Sequence, residues 1–242
     1  ETIFINKEKP LIKIMNLPEM IYKINKYLKK SKKKIIIIEG ASWIFYSFII
    51  MFFFKIFSSK IKIIYISHSI ESQIRKKYSN KLIYFLTKIL EKMVFKYSHI
   101  STSVSIKEKR EINLLYGVKT ILLPNGINLG YSDKKKKIKT DYLIYTGSYS
   151  YKPNKDAIDY LNYFIMPSLL KEFPNLKLLL TGGGFNKKFS WIINKGTIPK
   201  PELHNLLFFS KCICIPLKFG SGTRVKIIEA LSLGAIVIST KK

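Results

Sequence analysis

Acidic residues are scarce in this sequence, which has 15 Asp and Glu against 43 Lys and Arg and a formal net charge of +28 over 242 residues. Such a charge is typical of proteins that bind nucleic acid or an anionic membrane surface. A second explanation stays open, because Lys, Ile, Tyr, Phe and Asn are enriched together, as expected where an AT-rich genome biases codon choice. The sequence also lacks an Asp-x-Asp motif, and it predicts no bound metal.

Cysteine is almost absent, and the two that occur, Cys212 and Cys214, lie in one apolar run. We expect strand alternation to direct them to opposite faces, so a disulfide between them is not predicted. There is no signal peptide and no metal-ligand spacing, which favours the reducing cytoplasm. The first residue is not Met, and the sequence is interpreted as a fragment.

Long apolar runs are missing as well. The most apolar stretch, Trp43–Phe54, has Ser47 as its one polar residue. At about a dozen residues it is shorter than the roughly 20 that a membrane span requires, so a buried or interfacial helix is favoured. The sequence is nevertheless rich in apolar residues, at 47% hydrophobic and 14% aromatic, which excludes a disordered polymer and predicts a globular protein.

The amino-terminal half alternates strand-like and helix-like segments. Ile35–Ile38 and Ile61–Ile66 are apolar, β-branched runs typical of buried parallel strands. Lys81–Tyr97 has apolar residues at helical spacing, namely Leu82, Phe85, Leu86, Ile89, Leu90 and Met93. Shorter segments follow, with strands predicted at His99–Val104 and Thr120–Leu123 and a helix at Ile106–Tyr116. This order predicts a parallel α/β unit.

The carboxy-terminal half repeats that architecture. Strands are predicted at Tyr142–Tyr145, Leu176–Leu180, Cys212–Pro216 and Ala235–Ser239. Helices are predicted at Lys155–Phe173 with an interruption at Pro167, at Glu202–Phe209 and at Val225–Leu233. The lysine run Lys134–Lys137 marks a polar linker. We therefore expect two Rossmann-like domains, an incomplete one at 1–127 and a second at 141–242, joined by a linker at 128–140.

The segment Phe219–Leu231 joins a glycine-punctuated loop to the start of a helix. Backbone N–H groups at a helix N-terminus suit an anionic phosphate. Arg224 and Lys226 would add charge-assisted hydrogen bonds, each worth about 1.5–3 kcal/mol, and Glu229 could accept hydrogen bonds from sugar or ribose hydroxyls. An ordinary helix N-terminus with solvated charges is the alternative interpretation.

These residues resemble a known family. Phe219–Leu231, followed by Gly234–Val237, is similar to the donor-site signature of retaining glycosyltransferases of glycosyltransferase family 4. Thr146–Ser148 with Tyr151–Asp156 resembles the loop that opens the donor domain in one branch of that family. Asn125–Ile127 resembles the turn before the linker, and His68–Glu71 the histidine segment of the catalytic cleft. The resemblance covers nearly the whole chain and implies a GT-B fold, with the ligand between the carboxyl ends of the two sheets.

The resemblance also implies roles for individual residues. Glu229 matches the second glutamate of a Glu-x7-Glu motif, which holds the ribose, whereas the first glutamate falls at Ser221 and leaves the sugar open. The usual Arg and Lys pair is missing from the Gly147 loop, so Arg224 and Lys226 are expected to bind the diphosphate. The predicted donor-binding residues are Gly147, Ser148, Lys152, Gly183, Ile198, Gly220, Ser221, Gly222, Thr223, Arg224, Lys226 and Glu229.

His68 is the predicted catalytic residue. Taken alone, a histidine after a strand is more often a structural hydrogen-bonding group, but the resemblance places it facing the donor, where it would orient the sugar or stabilise developing charge. Glu71 is expected to support it. For the glycines around Gly183, a plain tight turn remains an equal alternative to a ligand contact.

The predicted function is transfer of a glycosyl unit, with retention, from a UDP-, GDP- or ADP-sugar to a hydroxyl of a sugar, lipid-linked or polysaccharide acceptor. No cofactor is expected beyond the donor substrate. The expected location is the cytoplasm, with peripheral contact through Trp43–Phe57 to an anionic membrane. Two alternatives stay open: a basic nucleic-acid-binding protein, disfavoured by scattered charges and the lack of a recognition motif, and a catalytically inactive GT-B-like protein, suggested by Ser221.

Overall fold

The computed structural model describes residues 15–40, 44–58, 60–127, 140–218 and 223–240. The chain separates between Pro124 and Asn125 into two compact units, called here the amino-terminal unit and the carboxy-terminal unit. Each unit contains a parallel sheet with helices, which confirms the predicted α/β fold class. The predicted linker lies outside the described residues except for Thr140.

The amino-terminal unit contains a four-stranded parallel sheet in the order β1-β2-β3-β4. Its strands are β1 (Ile35–Gly40), β2 (Lys62–Ser67), β3 (Ile100–Ser103) and β4 (Ile121–Leu122). Its helices are α1 (Leu17–Lys30), α2 (Ile44–Phe57), α3 (Glu71–Tyr78), α4 (Lys81–Tyr97) and α5 (Ile106–Tyr116). Helices α1 and α3 were not predicted from the sequence, whereas α4 and α5 have the bounds that their periodicity indicated.

Local signals explain several of these boundaries. Helix α4 begins after Asn80, whose Oδ1 accepts a hydrogen bond from the Ile83 N–H at 2.8 Å. Helix α5 begins after Ser105, whose Oγ accepts from the Glu108 N–H at 3.1 Å. It ends at Gly117, which takes a left-handed φ of 69°. Caps of this kind involve neighbours in sequence, and this is why these bounds were predictable.

The apolar run of β1 predicted a buried strand, but in the structure only one of its two faces is buried. Ile36 and Ile38 lie in the core, but Ile37 is 61% exposed. Among the described strands, β1 lies at one edge of the sheet and pairs with β2, and its side chains alternate between buried and exposed positions. Strand β1 positions Glu39, which lies one residue before the carboxyl end of the strand.

The carboxy-terminal unit contains a five-stranded parallel sheet in the order β7-β6-β5-β8-β9. The strands are β5 (Tyr142–Thr146), β6 (Lys177–Thr181), β7 (Ile192–Gly196), β8 (Cys212–Ile215) and β9 (Val237–Ser239). The helices are α6 (Lys152–Tyr160), α7 (Met166–Glu172), α8 (Lys200–Phe209) and α9 (Val225–Ser232). Strands β5, β6 and β8 supply fully buried side chains to the core, including those of Ile144, Tyr145, Leu178 and Ile213.

The structure differs from the predicted helix Lys155–Phe173 in two ways. It starts earlier, at Lys152, because Pro153 suits the first turn, where a missing N–H removes no bond. Its interruption also lies before Pro167, since Leu161–Ile165 winds as a π-helix between α6 and α7. A proline ring clashes with the carbonyl of the residue four positions earlier, and a wider turn relieves that contact.

The expectation that Cys212 and Cys214 face opposite sides of their strand is wrong. Their Sγ atoms lie 3.6 Å apart, both side chains are buried, and no disulfide joins them. Residues two apart in a strand share a face, and the alternation rule separates only direct neighbours. Strand β7 was not predicted, because Ile192–Gly196 contains Asn194, Lys195 and Gly196 and three of its five residues are exposed.

Candidate nucleotide-binding site

Two glycine-containing loops meet at the carboxyl ends of β5 and β6. The strands are in register with Thr146 opposite Thr181, so Gly147 and Gly182 leave the sheet side by side. The Gly147 N–H donates to the Thr181 carbonyl at 2.9 Å, and a Cβ on Gly182 would lie 2.5 Å from the Gly147 carbonyl carbon. With a φ of 108° at Gly182, this approach requires glycine. The carboxyl edge of a parallel sheet is where open α/β folds bind ligands.

Lys226 reaches these loops from α9. Its Nζ donates to the Thr146 carbonyl at 2.7 Å and to Asn154 Oδ1 at 3.0 Å. The same Nζ lies 4.6 Å from the centre of the Tyr145 ring. Burial lowers the pKa of Lys226 to about 8, and the positive charge of Arg224 contributes to that shift. Lys226 is therefore a cation held close to the Gly147 loop in partly desolvated surroundings.

Asn154 connects the lysine to the loop, and sequence reasoning gave it no role. Its Nδ2 donates to the Ser148 carbonyl at 3.0 Å, and its Oδ1 accepts from the Tyr145 hydroxyl at 2.9 Å. Asn154 lies in the first turn of α6, not in the loop where the sequence placed it. It is only 8% exposed, although asparagine usually lies at the surface. Nothing in the sequence indicated its burial.

Arg224 is held at the other side of α9. Its guanidinium donates to the Leu217 carbonyl at 3.2 Å and to Ser239 Oγ at 3.0 Å, next to the ends of β8 and β9. It also lies 3.5 Å from Thr240 Oγ1. The structure therefore brings Lys226, and not Arg224, into hydrogen-bonded contact with the strand that leads to Gly147.

Glu229 faces a histidine of α8, His204. The His204 Nε2 on α8 is 3.0 Å from Glu229 Oε1, and Lys200 Nζ is 3.9 Å from the same oxygen. Glu229 is half-buried one turn beyond Lys226, so both side chains project from the amino-terminal part of α9. A half-buried carboxylate beside a histidine can accept hydrogen bonds from ligand hydroxyls.

The remaining predicted donor residues fall into three groups. Gly183 lies in the loop after β6 with a φ of 75°, and its carbonyl accepts from the Tyr149 N–H at 3.0 Å. Ser148 and Ile198 are half-buried in loops, Lys152 is exposed at the start of α6, and Thr223 is half-buried before α9. The predicted residues Gly220, Ser221 and Gly222 lie outside the described residues.

The predicted catalytic residue, His68, belongs to the amino-terminal unit. Its Nε2 is 2.8 Å from Glu39 Oε1, and the two residues stand at the carboxyl ends of neighbouring strands β2 and β1. Glu71, expected to support it, instead accepts from the Ile44 N–H at 3.1 Å and forms an ion pair with Arg75. The sequence singled out His68 but missed Glu39, which follows an apolar strand in the same way.

A buried carboxylate, Glu91, organises the interior of the amino-terminal unit. It accepts hydrogen bonds from the N–H groups of Glu71 at 2.6 Å and Ser72 at 3.0 Å, and from the Tyr116 hydroxyl at 2.6 Å. Two of these donors are N–H groups in the first turn of α3, where the helix itself supplies no acceptor. Glu91 therefore caps that helix from a distant part of the chain. Burial raises the pKa of the Glu91 carboxyl.

Among the described residues, no group of three or more His, Cys, Asp and Glu side chains is arranged to hold a metal ion. None of the described helices has the length and apolar character needed to cross a membrane.

The fold is shared with several solved structures. Sucrose-phosphate synthase from Thermosynechococcus elongatus superposes with a TM-score of 0.73 at 15% identity, over 98% of this chain and 62% of its own. The G117R mutant of TarM from S. aureus, in complex with fondaparinux, alpha-GlcNAc-glycerol and UDP, gives 0.69 at 14% identity over 93% of this chain and 44% of its own. HepE from Anabaena, in complex with UDP and glucose, gives 0.66 at 11% identity over 99% and 67%. At such identities the likeness shows the fold alone.

The family comparison is more specific and concerns one unit. Residues 140–242 match the family described as glycosyl transferases group 1. This match begins at Thr140 and covers less than half of the chain. No curated protein matches the sequence. The chain spans 44% to 67% of the length of the three solved structures above.

Proposed function

We propose that the protein is a glycosyltransferase that moves a sugar from a nucleoside-diphosphate sugar to an acceptor hydroxyl. The observation that carries the proposal is the position of Lys226, whose Nζ lies 2.7 Å from the Thr146 carbonyl, directly before Gly147, inside the stretch that matches glycosyl transferases group 1. A cation at the carboxyl edge of a parallel sheet is suited to a diphosphate. UDP is the first nucleotide to test, since TarM and HepE were solved with it.

The chemistry assigned to the site is electrostatic. When the sugar leaves, negative charge grows on the departing nucleoside diphosphate, and a cation already in place stabilises the transition state without reorganisation. Lys226 is fixed by two hydrogen bonds, to the Thr146 carbonyl and Asn154 Oδ1, which would be exchanged for phosphate oxygens. Arg224 adds positive charge from its place beside β8 and β9. Glu229 accepts hydrogen bonds from the ribose hydroxyls.

The amino-terminal unit supplies the acceptor side in this proposal. His68, paired with Glu39 at 2.8 Å, is the candidate catalytic side chain there. In that place its imidazole would orient the sugar or stabilise charge that develops on the donor. Retention of configuration, membership of glycosyltransferase family 4, and a cytoplasmic role in cell-envelope polysaccharide or glycolipid synthesis belong to the same proposal.

Nucleotide titrations test the assignment of Lys226. Wild-type protein and the Lys226→Met variant are titrated with UDP, GDP and ADP by calorimetry, with Lys171→Met, an exposed lysine of α7, as the matched control. We expect Lys226→Met to lose about 10- to 100-fold in affinity for one of the three nucleotides, as a charge-assisted hydrogen bond is worth about 1.5–3 kcal/mol. The control should bind like wild type.

Two results would count against the proposal. Equal affinity of wild type and Lys226→Met for every nucleotide would remove the lysine from the site, and equal affinity of Arg224→Ala would do the same for Arg224. If a nucleotide binds but neither donor hydrolysis nor transfer occurs, the inactive GT-B-like alternative is correct. Tight binding of RNA at physiological salt would instead support the nucleic-acid alternative.

A further inference from the structure

Helix α4 packs with the unexpected face inward. Its buried side chains are Thr87, Glu91, Val94 and Phe95. Its most regular apolar residues point the other way: Leu82 is 66% exposed, Phe85 58%, Leu86 49% and Ile89 41%. These four residues, called here the α4 stripe, belong to the six whose spacing identified the helix in the sequence, and the other two, Leu90 and Met93, are half-buried. Exposed apolar residues that lie together on one face typically mark an interaction site.

The helical geometry shows how regular this surface is. At about 100° per residue, the α4 stripe lies opposite the buried Glu91 and Thr87. Lysines line one edge of the stripe, at positions Lys81, Lys88, Lys92 and Lys96. The one carboxylate of α4, Glu91, is fully buried. The exposed surface of α4 is therefore apolar in the middle, positively charged along one edge and without an acidic side chain.

Helix α2, which packs against α4, has the same character. Lys55 of α2 donates from its Nζ to the Tyr97 carbonyl at 2.6 Å and so links the ends of the two helices. Phe52, Ile56 and Phe57 are 48%, 58% and 70% exposed. Helix α2 contains no acidic residue. The two helices thus present exposed aromatic and aliphatic side chains with lysines as their only charged groups.

We propose that the α4 stripe docks on an anionic lipid bilayer, with the exposed side chains of α2 near the carboxyl end of α4. Aliphatic and aromatic side chains on one helix face enter the boundary between headgroups and acyl chains, and flanking lysines extend to the lipid phosphates. Each lysine near an anionic surface strengthens binding about fivefold. This surface is on the amino-terminal unit and does not depend on the proposed transfer reaction.

The charges favour a bilayer over a second copy of the chain. A two-fold dimer with antiparallel α4 helices would bring the lysine edge of one copy near that of the other, and neither α2 nor α4 offers an exposed carboxylate to pair with it. An anionic bilayer meets the same edge with opposite charge. The α4 stripe is therefore assigned to an anionic bilayer, and self-association is an outcome of the test.

Vesicle flotation tests the docking directly. Wild-type protein, the double variant Phe85→Ser/Leu86→Ser, and the control Ile106→Ser/Leu114→Ser are mixed with phosphatidylcholine vesicles, with and without an equal part of phosphatidylglycerol. The control removes two apolar residues of α5 that are 59% and 84% exposed, in the same unit. Thermal unfolding checks that all three proteins are folded. Sedimentation velocity without lipid measures self-association.

We expect wild type and control to float with phosphatidylglycerol vesicles and the stripe variant to bind at least about tenfold more weakly, because two apolar side chains no longer enter the bilayer. Binding should weaken with salt and be much lower on pure phosphatidylcholine. Equal flotation of wild type and stripe variant would overturn the inference, as would absence of wild-type binding. A wild-type dimer that the stripe substitutions dissociate would assign the surface to a second copy.

Discussion

The two units of this protein use their apolar residues and carboxylates in opposite ways. In the carboxy-terminal unit, the apolar runs of β5, β6 and β8 form the core, and Glu229 stays half-buried beside His204. In the amino-terminal unit, the α4 stripe is exposed while Glu91 is fully buried. Both units have parallel sheets. Sheet topology therefore does not determine which residues of a helix face inward, and buried polar partners can reverse the side that periodicity suggests.

The largest effect is expected in the amino-terminal unit, from removal of the buried carboxylate of Glu91. Glu91→Leu leaves the N–H groups of Glu71 and Ser72 without their acceptor and removes one of the two partners of the Tyr116 hydroxyl, which keeps Ser72 Oγ at 2.7 Å. Each unsatisfied buried donor costs about 1–3 kcal/mol. We expect the amino-terminal unit to lose about 3–5 kcal/mol of its free energy of unfolding, measured by urea denaturation. The control Glu19→Leu removes an exposed carboxylate of the same unit and should leave the midpoint near that of wild type. A similar midpoint for both variants would mean that Glu91 does not hold α4 in place.

A smaller effect is expected in the carboxy-terminal unit from Gly182→Ala. The new Cβ would meet Gly147 at 2.5 Å, in a backbone with a φ of 108°, and such strain costs about 1–3 kcal/mol. Because the contact is with the Gly147 loop, nucleotide affinity should fall together with stability. Gly196→Ala is the matched control, since its φ is also positive, at 62°, but a Cβ there meets nothing within 4 Å. Unchanged nucleotide affinity in Gly182→Ala would mean that the loops at Gly147 and Gly182 are not part of the nucleotide-binding site.

The sequence predicted the α/β class, the bounds of α4 and α5, and most strands of the carboxy-terminal unit, because these depend on local spacing and caps. It did not predict which face of α4 is inward, since that depends on Glu71, Ser72 and Tyr116, 19 to 25 positions from Glu91 along the chain. The contacts of Lys226 are still more distant in sequence, with Asn154 lying 72 positions away. Periodicity and motifs identify elements and candidate side chains, but they do not show which of these meet.

The proposed contact between Lys226 and the diphosphate is tested most directly by the proton balance of nucleotide binding. Burial lowers the pKa of Lys226 to about 8, so the free protein is about half protonated there at pH 8. A bound diphosphate favours the charged form and raises that pKa, so binding at pH 8 should take up a proton. Affinity should then fall by up to about tenfold per pH unit above pH 8.

Calorimetric titration of UDP at pH 8, in two buffers of different ionisation enthalpy, measures this uptake. We predict uptake of about half a proton by wild type and by Lys171→Met, and none by Lys226→Met. Binding of UDP without proton uptake, or the same uptake in Lys226→Met, would contradict the claim that this lysine meets the phosphates.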